Sequence, residues 1–252
     1  NAKNYLDTFV VKQLKKYNLT EGAALKLQEI LRLPSPPARM ECFDISHFSG
    51  TDVVASMTVF QSGEPKKSAY RRFKVKVQQN NDFESMHETL LRRLSKIGNS
   101  EDESFNAHPD LIVIDGGKGQ LSRAQDAMRE AGVYVNMISL AESDEIIYYP
   151  DKSEGLYLSR RSPALALLMR LRDEAHRFAV DYATRLHTNR LKVSSLKDIE
   201  GIGDKKTDIL YNHFKTIDRI KAADVDTLAS VKGISRADAE KIRAFFDGKN
   251  QK

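Results

Sequence analysis

The feature that most constrains the fold is a continuous apolar run, Leu-Ile-Val-Ile, at residues 111–114, which ends in Asp115-Gly116-Gly117. A run that is apolar on both sides of the backbone predicts a strand of a parallel sheet, because such strands are buried on both faces. Parallel strands need crossover connections, which are usually helices. Strand-like and helix-like segments alternate around this run. The sequence therefore predicts an α/β fold in which a mixed sheet is flanked by helices.

The segments before and after this strand predict the order of the elements. Residues 1–33 are typical of two helices, the second of which the hydroxyl of Thr20 could cap. Residues 34–37 contain three prolines and predict a stiff connector. The other predicted elements are strands at 40–45, 53–60, 69–77 and 134–140, turns at 49–51 and 61–65, helices at 83–97 and 120–130, a hairpin around Tyr148 and residues 156–157, and a long helix from Pro163 to about residue 186.

Composition excludes several classes of protein. Apolar residues make up 40% and charged residues 30% of the 252 residues, which is typical of a folded chain rather than a disordered one. No apolar run approaches the roughly 18 residues of a membrane span, and we expect neither a secretory leader nor a membrane partner. Because Cys42 is the single cysteine, an internal disulfide and a cysteine-rich zinc module are excluded, and a reducing, cytoplasmic setting is expected.

The last quarter of the chain contains an internal duplication. Gly-Ile-Gly at 201–203 and Gly-Ile-Ser at 233–235 are 32 residues apart, and each precedes a helical segment. Residues 190–252 carry a net charge of +4 out of the chain's +5, which favours a polyanionic partner. A glycine hairpin before a helix leaves backbone N–H groups free for a DNA phosphate. The predicted DNA-binding residues are Gly201, Gly203, Lys205, Lys206, Gly233, Ser235 and Arg236. The alternative is that the two hairpins only pack together.

Asp44 and Asp115 are the first candidate catalytic pair. Each follows an apolar, strand-like run, and the carboxyl ends of strands in open α/β sheets are where ligands bind. If the two strands are neighbours, the carboxylates converge, and two such oxygen donors suit Mg²⁺ or Mn²⁺. Divalent ions can activate water and stabilise the leaving oxygen in phosphodiester hydrolysis. The alternative is that each aspartate caps a turn or a helix start.

Three further positions are weaker candidates. The glycine-rich segment 115–120 would let a phosphate approach the backbone, and Lys118 could meet an anion there, although a tight strand-to-helix turn explains the glycines equally well. His176 lies beside the apolar stripe of the long helix, four residues after Arg172, so its imidazole could be oriented toward a site. A structural or merely exposed histidine is the alternative. Asp82 has the sequence context of a plain helix cap.

Three strings carry a family resemblance: ECFDISH at residues 41–47, IDGGKGQ at 114–120 and RDEAH at 172–176. In this order, and followed by two helix-hairpin-helix copies, they resemble the C-terminal half of UvrC, a subunit of the bacterial nucleotide-excision-repair endonuclease. With the change of sequence pattern near residue 192, the resemblance implies three regions. These are an N-terminal helical segment and connector (1–37), an RNase H-like endonuclease domain (38–192) and a tandem helix-hairpin-helix DNA-binding domain (193–252).

The resemblance also implies a function. Members of the family cut DNA on the 5′ side of a lesion, so the implied partners are double-stranded or bubble-containing DNA and the UvrB–DNA pre-incision complex. The implied cofactor is a divalent metal, Mg or Mn, at a triad of Asp44, Asp115 and His176, with the imidazole as a further ligand or a general base. Asp82 matches another acidic position needed for incision, and Arg172 a position that supports the site or contacts a phosphate. Full-length members carry a second nuclease and a UvrB-binding segment, so we expect this chain to be part of a longer protein.

Two other functions stay open. The chain could be a non-catalytic module that binds DNA or a partner protein, with structural carboxylates. It could also be a different RNase H-like nuclease, such as a junction resolvase. Dependence of cleavage on a divalent metal would separate the first alternative from the nuclease, and a comparison of substrates would separate the second.

Overall fold

The computed structural model describes residues 2–48, 52–75, 81–141, 144–150, 152 and 154–249. The chain forms two compact units, Asn1–Val180 and Asp181–Lys252. The domain boundary predicted near residue 192 lies inside a helix that runs from Pro163 to Ser194, and the division into three regions stays a prediction. The predicted turn at 49–51 lies outside the described residues.

The first unit is built on one mixed sheet. Its strands are β1 (Arg39–Phe48), β2 (Asp52–Gln61), β3 (Glu64–Pro65), β4 (Arg71–Lys74), β5 (Leu111–Asp115), β6 (Met137–Ala141) and β7 (Ile146–Tyr148), and its helices are α1 (Ala2–Leu19), α2 (Glu21–Leu31), α3 (Asp82–Leu94), α4 (Glu103–Asn106), α5 (Lys118–Glu130) and the start of α6 (Pro163–Ser194). The strand order is β3-β2-β1-β5-β6-β7, and β4 also pairs with β2. β1, β5 and β6 are parallel to one another, whereas β2, β3, β4 and β7 pair antiparallel with their neighbours.

Helices bury both faces of the sheet, as the apolar run at 111–114 predicts. The four side chains of this run are fully buried. Ile112 and Ile114 pack in the core that α3 and α5 cover, and Leu111 and Val113 in the core that α2 and α6 cover. The prediction of a mixed sheet flanked by helices is therefore confirmed.

The structure corrects three predicted elements of this unit. Thr20 does not cap α2: its hydroxyl donates to the carbonyl of Lys16, 2.8 Å away, and so satisfies the end of α1 instead. Of the strand predicted over 69–77, the structure has β4, which begins after the 3₁₀ turn Lys67–Ala69; residues 76 and 77 lie outside the described part. The long helix α6 continues past residue 186. The predicted hairpin is present, since Leu156 forms an antiparallel bridge with Ile147 of β7.

The second unit contains helices α7 (Asp204–Phe214), α8 (Ile217–Ala222), α9 (Val225–Ala229) and α10 (Arg236–Lys249). Its core confirms the internal duplication, because buried positions occur in pairs 32 residues apart. These pairs are Leu196 and Leu228, Ile199 and Val231, Ile202 and Ile234, Leu210 and Ile242, and Phe214 and Phe246. The two copies thus contribute the same positions to one shared core. In the part of the chain that is described, no helix has the length and apolar character needed to cross a membrane.

Candidate active site and nucleic-acid interface

Asp44 and Asp115 stand side by side at one edge of the sheet. The register of the parallel strands β1 and β5 pairs Phe43 with Ile114, so the next residue of each strand is an aspartate. Neighbouring strands are about 5 Å apart at this point. Cys42 and Val113, two residues earlier on each strand, face the core under α6. Because side chains alternate along a strand, both carboxylates also face α6.

The surroundings of this pair are buried and negatively charged. Asp44 is 8% exposed, and the hydroxyl of Ser46 donates to its Oδ2 at 2.5 Å. Burial raises the pKa of the Cys42 thiol well above its usual value, and the negative charges of Asp115 and Asp44 raise it further, while Arg172 opposes them. Carboxylates beside an apolar core are costly unless they are paired or bound to a cation. Two carboxylates on one side of the sheet are oxygen donors of the kind that Mg²⁺ and Mn²⁺ prefer.

Two carboxylates are enough for Mg²⁺, which is commonly held by one or two of them together with waters and phosphate oxygens of the substrate. Among the described residues, no group of three or more His, Cys, Asp or Glu side chains is arranged to hold a metal ion. The structure thus brings Asp44 and Asp115 together but does not unite them with His176 as one ligand set. Metal ligation by all three residues stays a prediction.

His176 lies on a turn of α6 that is hydrogen-bonded to the sheet next to Asp44. The hydroxyl of Ser56 donates to the carbonyl of Ala175 at 3.3 Å. Ser56 is also the register partner of Asp44 across β1 and β2. This bond holds the backbone next to His176 against the strand pair that carries the aspartate, while the imidazole itself is exposed.

The turn after β5 requires glycine at its first position. Gly116 has a φ of +147°, and a Cβ there would lie 1.6 Å from Oε1 of Gln120. That oxygen accepts the backbone N–H of Gly117 at 3.0 Å. The Gln120 side chain therefore occupies one of the backbone N–H groups that are expected from the sequence to bind a phosphate. Lys118 is exposed, and its Nζ lies 4.9 Å from the ring centre of Tyr148. Its contact with DNA stays a prediction.

Asp82 lies at the start of α3, where this helix packs against α5. The cap of α3 is Asn81, whose side-chain oxygen accepts a backbone N–H of the first turn at 3.1 Å. Asp82 is therefore the first helical residue and not the cap, which corrects the sequence interpretation. Its neighbour Phe83 lies against Gly119, where a Cβ would be 2.4 Å from the ring. The start of α3 thus adjoins the first turn of α5, four residues beyond Asp115.

Arg172 is engaged by carboxylates. It is 9% exposed, its Nη1 donates to Oε2 of Glu145 at 2.6 Å, and its Nη2 donates to Oδ1 of Asp173 at 2.9 Å. Burial lowers the pKa of Arg172, but the hydrogen bonds with Glu145 and Asp173 outweigh burial and hold that pKa above its ordinary value. Sequence reasoning missed Glu145, because an acidic residue in a loop 27 positions from its partner belongs to no motif.

The two hairpins of the second unit differ at their helix starts. α7 begins after Gly203 and has no side-chain cap. At the start of α10, Oδ2 of Asp238 accepts the backbone N–H of Ser235 at 3.0 Å, and Oγ of Ser235 accepts the backbone N–H of Asp238 at 3.1 Å. Side chains therefore occupy backbone donors at the start of α10, whereas the start of α7 has no side-chain cap hydrogen bond.

Lys206 joins the two copies. Its Nζ donates to the carbonyl of Gly201 at 3.0 Å and to Oδ1 of Asp238 at 2.7 Å. Lys206 and Asp238 occupy equivalent positions of the duplication, 32 residues apart. Lys205 is exposed, and Arg236 pairs with Asp226 at 3.0 Å. DNA contacts by Lys205, Lys206 and Arg236 stay predictions.

Comparison with known families agrees with this architecture. The family described as "UvrC RNAse H endonuclease domain" matches residues 28–180, and the family described as "SAM-like Helix-hairpin-helix tandem" matches residues 193–247. The chain thus has the fold of an RNase H-like endonuclease domain followed by a tandem helix-hairpin-helix domain. The chain belongs to the UvrC family, which confirms the resemblance found in its sequence.

Curated relatives named "UvrABC system protein C" match most of the chain. The protein from Symbiobacterium thermophilum is 43% identical over 91% of this chain and 40% of its own length. The protein from Chlorobium phaeobacteroides is 44% identical over 92% of this chain and 37% of its own length. The chain therefore spans about 40% of the length of the curated relatives it matches. Human ENDOV, a solved structure, is 11% identical with a TM-score of 0.38 and covers 68% of this chain and 99% of its own.

Proposed function

We propose that this chain hydrolyses a DNA phosphodiester bond on the 5′ side of a lesion during bacterial nucleotide excision repair. The observation that carries the proposal is the register of β1 and β5, which sets the Asp44 and Asp115 carboxylates side by side facing α6. Its substrates would be double-stranded and bubble-containing DNA presented in the UvrB–DNA pre-incision complex. Such a protein would work in the cytoplasm, where the bacterial chromosome lies.

Asp44 and Asp115 would hold Mg²⁺ or Mn²⁺ at this site. When bound, the ion would activate a water and stabilise the leaving oxygen of the phosphodiester. The buried position of Asp44 keeps its carboxylate in one orientation, since Ser46 donates to one of its oxygens. His176, exposed on the adjoining turn of α6, could complete the ligand set or accept a proton from the attacking water, as imidazoles do near neutral pH.

The first hairpin of the second unit would bind DNA phosphates. Gly203 leaves the start of α7 without a side-chain cap, and the exposed Lys205 adds positive charge beside it. Backbone N–H groups at such a helix start bind anions without reading sequence. The second hairpin, where Ser235 and Asp238 occupy backbone donors, would serve mainly to pack against the first.

Replacement of Asp115 by Asn tests the catalytic part of the proposal. The assay measures nicking of a bubble-containing duplex with UvrB present and Mg²⁺ or Mn²⁺ added. We expect nicking by the wild type to stop with EDTA, and the Asp115→Asn protein to bind the duplex but not to nick it, because one metal-holding carboxylate is gone. Glu101→Gln, at an exposed position before α4, is the control and should cut normally. Nicking by Asp115→Asn at the wild-type rate would contradict the proposal.

Replacement of Gly203 by Asp tests the DNA-binding part. The backbone φ of −84° accepts any residue, and a Cβ there meets no atom within 4 Å, so the variant should fold. Its carboxylate would cap α7 and repel a phosphate. We expect the Gly203→Asp protein to bind duplex DNA more weakly than the wild type, because the new carboxylate repels the phosphate and occupies the backbone N–H groups that would bind it. Gly203→Ala is the matched control. Equal affinity of the Gly203→Asp and Gly203→Ala variants for duplex DNA would indicate that the hairpin at residues 201–203 only packs against the second copy and does not bind DNA.

A further inference from the structure

We propose that Glu145 is a positioning residue of the incision site and that it acts through Arg172. The inference rests on the function proposed above, and it concerns how the turn of α6 that carries His176 is held. Glu145 lies between β6 and β7, and Arg172 lies on α6 one helical turn before His176. The ion pair between them, at 2.6 Å, links the loop to the helix.

The backbone of Glu145 indicates that its carboxylate matters at this position. Its φ is +54°, in the left-handed region that glycine and asparagine tolerate better than other residues. The side chain is only 21% exposed and is directed at Arg172. A residue that suits the backbone poorly but makes a short, charge-assisted hydrogen bond is typical of a position that is kept for its side chain.

The location of the pair connects it to the two aspartates. Leu140 of β6 is the register partner of Asp115, and Glu145 follows shortly after the end of β6. The ion pair therefore ties the carboxyl end of the parallel strands to α6 at the level of the site.

The same segment of α6 is also held by the strands on the β2 and β4 side. The hydroxyl of Tyr70 donates to Oε1 of Glu174 at 2.9 Å, and the guanidinium of Arg72 lies 3.7 Å from the ring centre of Phe178. These contacts and the Glu145–Arg172 pair restrict rotation of the helix about its axis. Because the imidazole of His176 is exposed, its direction depends on that rotation more than on its own packing.

The hydrogen bonds of the Arg172 guanidinium distinguish between the two roles that the resemblance suggests for this residue, which are support of the site and contact with a phosphate. Nη1 donates to Glu145, and Nε and Nη2 donate to Oδ1 of Asp173 at 3.2 and 2.9 Å. With 9% of the residue exposed, little of it is left to meet a DNA phosphate. Support of the site is the role that fits these contacts.

The main test is the rate of nicking by Glu145→Gln, which keeps the size of the side chain but removes its charge. We expect kcat on a bubble-containing duplex to fall about 10- to 100-fold, as is usual when a supporting residue of a metal site is lost, with KM for DNA unchanged. Glu145→Gly should lose kcat to the same extent but lose less Tm than Glu145→Gln, because glycine suits the left-handed backbone. Glu154→Gln, an exposed acid nearby, is the control. The double variant Glu145→Gln/Arg172→Met should be no slower than Arg172→Met.

A spectroscopic readout separates positioning from general damage. The Nη1–H signals of Arg172, the group that donates to Glu145, should shift in the ¹H–¹⁵N spectrum of Glu145→Gln and stay unchanged in Glu154→Gln. If the wild type cuts in an Asp115-dependent way while Glu145→Gln and Glu145→Gly keep the wild-type kcat, the positioning role is overturned and the proposed function stands. If the wild type shows no Asp115-dependent cutting, the proposed function falls and this inference falls with it.

Discussion

The ion pair between Lys206 and Asp238 should stabilise the second unit by an amount that depends on pH. The hydrogen bond from Lys206 is the largest cause that lowers the pKa of Asp238 from 3.8 to about 2; burial opposes it, and bonds from Ser235 add to it. At about 1.4 kcal/mol per pKa unit, a shift of this size corresponds to about 2.4 kcal/mol. Because the Lys206 side chain is 35% exposed, screening by water reduces the expected contribution to about 1–2 kcal/mol.

The perturbation is Asp238→Asn, which keeps an oxygen for Ser235 but removes the charge. Since the folded pKa is the lower one, the stabilisation is complete above pH about 4 and is lost as the pH falls toward 2. Urea titrations followed through the amide signals of Gly201 and Gly233 report the unfolding of this unit. At pH 7 the free energy of unfolding should be about 1–2 kcal/mol lower in the variant, and near pH 2 the two proteins should agree.

The matched control is Asp224→Asn, at the cap of α9, where the side chain accepts the backbone N–H of Thr227 at 2.7 Å. The hydrogen bonds from Thr227 also lower the pKa of Asp224, but an amide oxygen can replace that acceptor and the side chain is exposed, so this variant should lose less stability at pH 7 than Asp238→Asn. Equal stability of Asp238→Asn and the wild type at pH 7 would refute the assignment of the pair as a link between the copies. A difference that persists unchanged at pH 2 would refute the electrostatic explanation.

Two further predictions concern the first unit. Glu41→Gln removes the carboxylate that the buried Arg93 and Arg39 share at 2.7 and 2.9 Å, and two guanidinium groups without a counter-charge should lower the free energy of unfolding by about 3–5 kcal/mol in urea titrations. Gly116→Ala, at a φ of +147° with a side-chain oxygen 1.6 Å from the new Cβ, should lower Tm and abolish nicking. Gly117→Ala, which meets no atom within 4 Å, is its control and should match the wild-type Tm.

The elements that could be predicted are those whose signal is local. The run at 111–114 is apolar at every position, so its burial on both faces follows from composition alone, and the structure buries all four side chains. Element ends were predicted less well, because they depend on competing hydrogen bonds. The hydroxyl of Thr20 could satisfy either the end of α1 or the start of α2, and it bonds to Lys16. At α3, Asn81 precedes Asp82 as the cap.

The geometry of the candidate site could be predicted from the sequence even less well than the ends of the elements. The motifs identified Asp44 and Asp115 as candidates, but their proximity depended on which strands are neighbours and in what register. Gln120 was read only as the end of a glycine-rich motif, yet its side chain fills the turn beside Asp115. Glu145 had no signal in the sequence, since its role comes from a partner that lies far away along the chain.

The class of fold, the duplication and the residue types available for chemistry can be read from the amino-acid order alone, because apolar periodicity, glycine spacing and ordered motifs are properties of neighbouring residues. Which side chains meet depends on the folded chain: the two aspartates come together through strand register, Arg172 and Glu145 through a loop, and Lys206 and Asp238 through the pairing of the two copies. Hydrogen bonds and ion pairs act over about 3 Å in space, whatever the separation of the two residues along the chain, so these contacts leave no local pattern in the sequence.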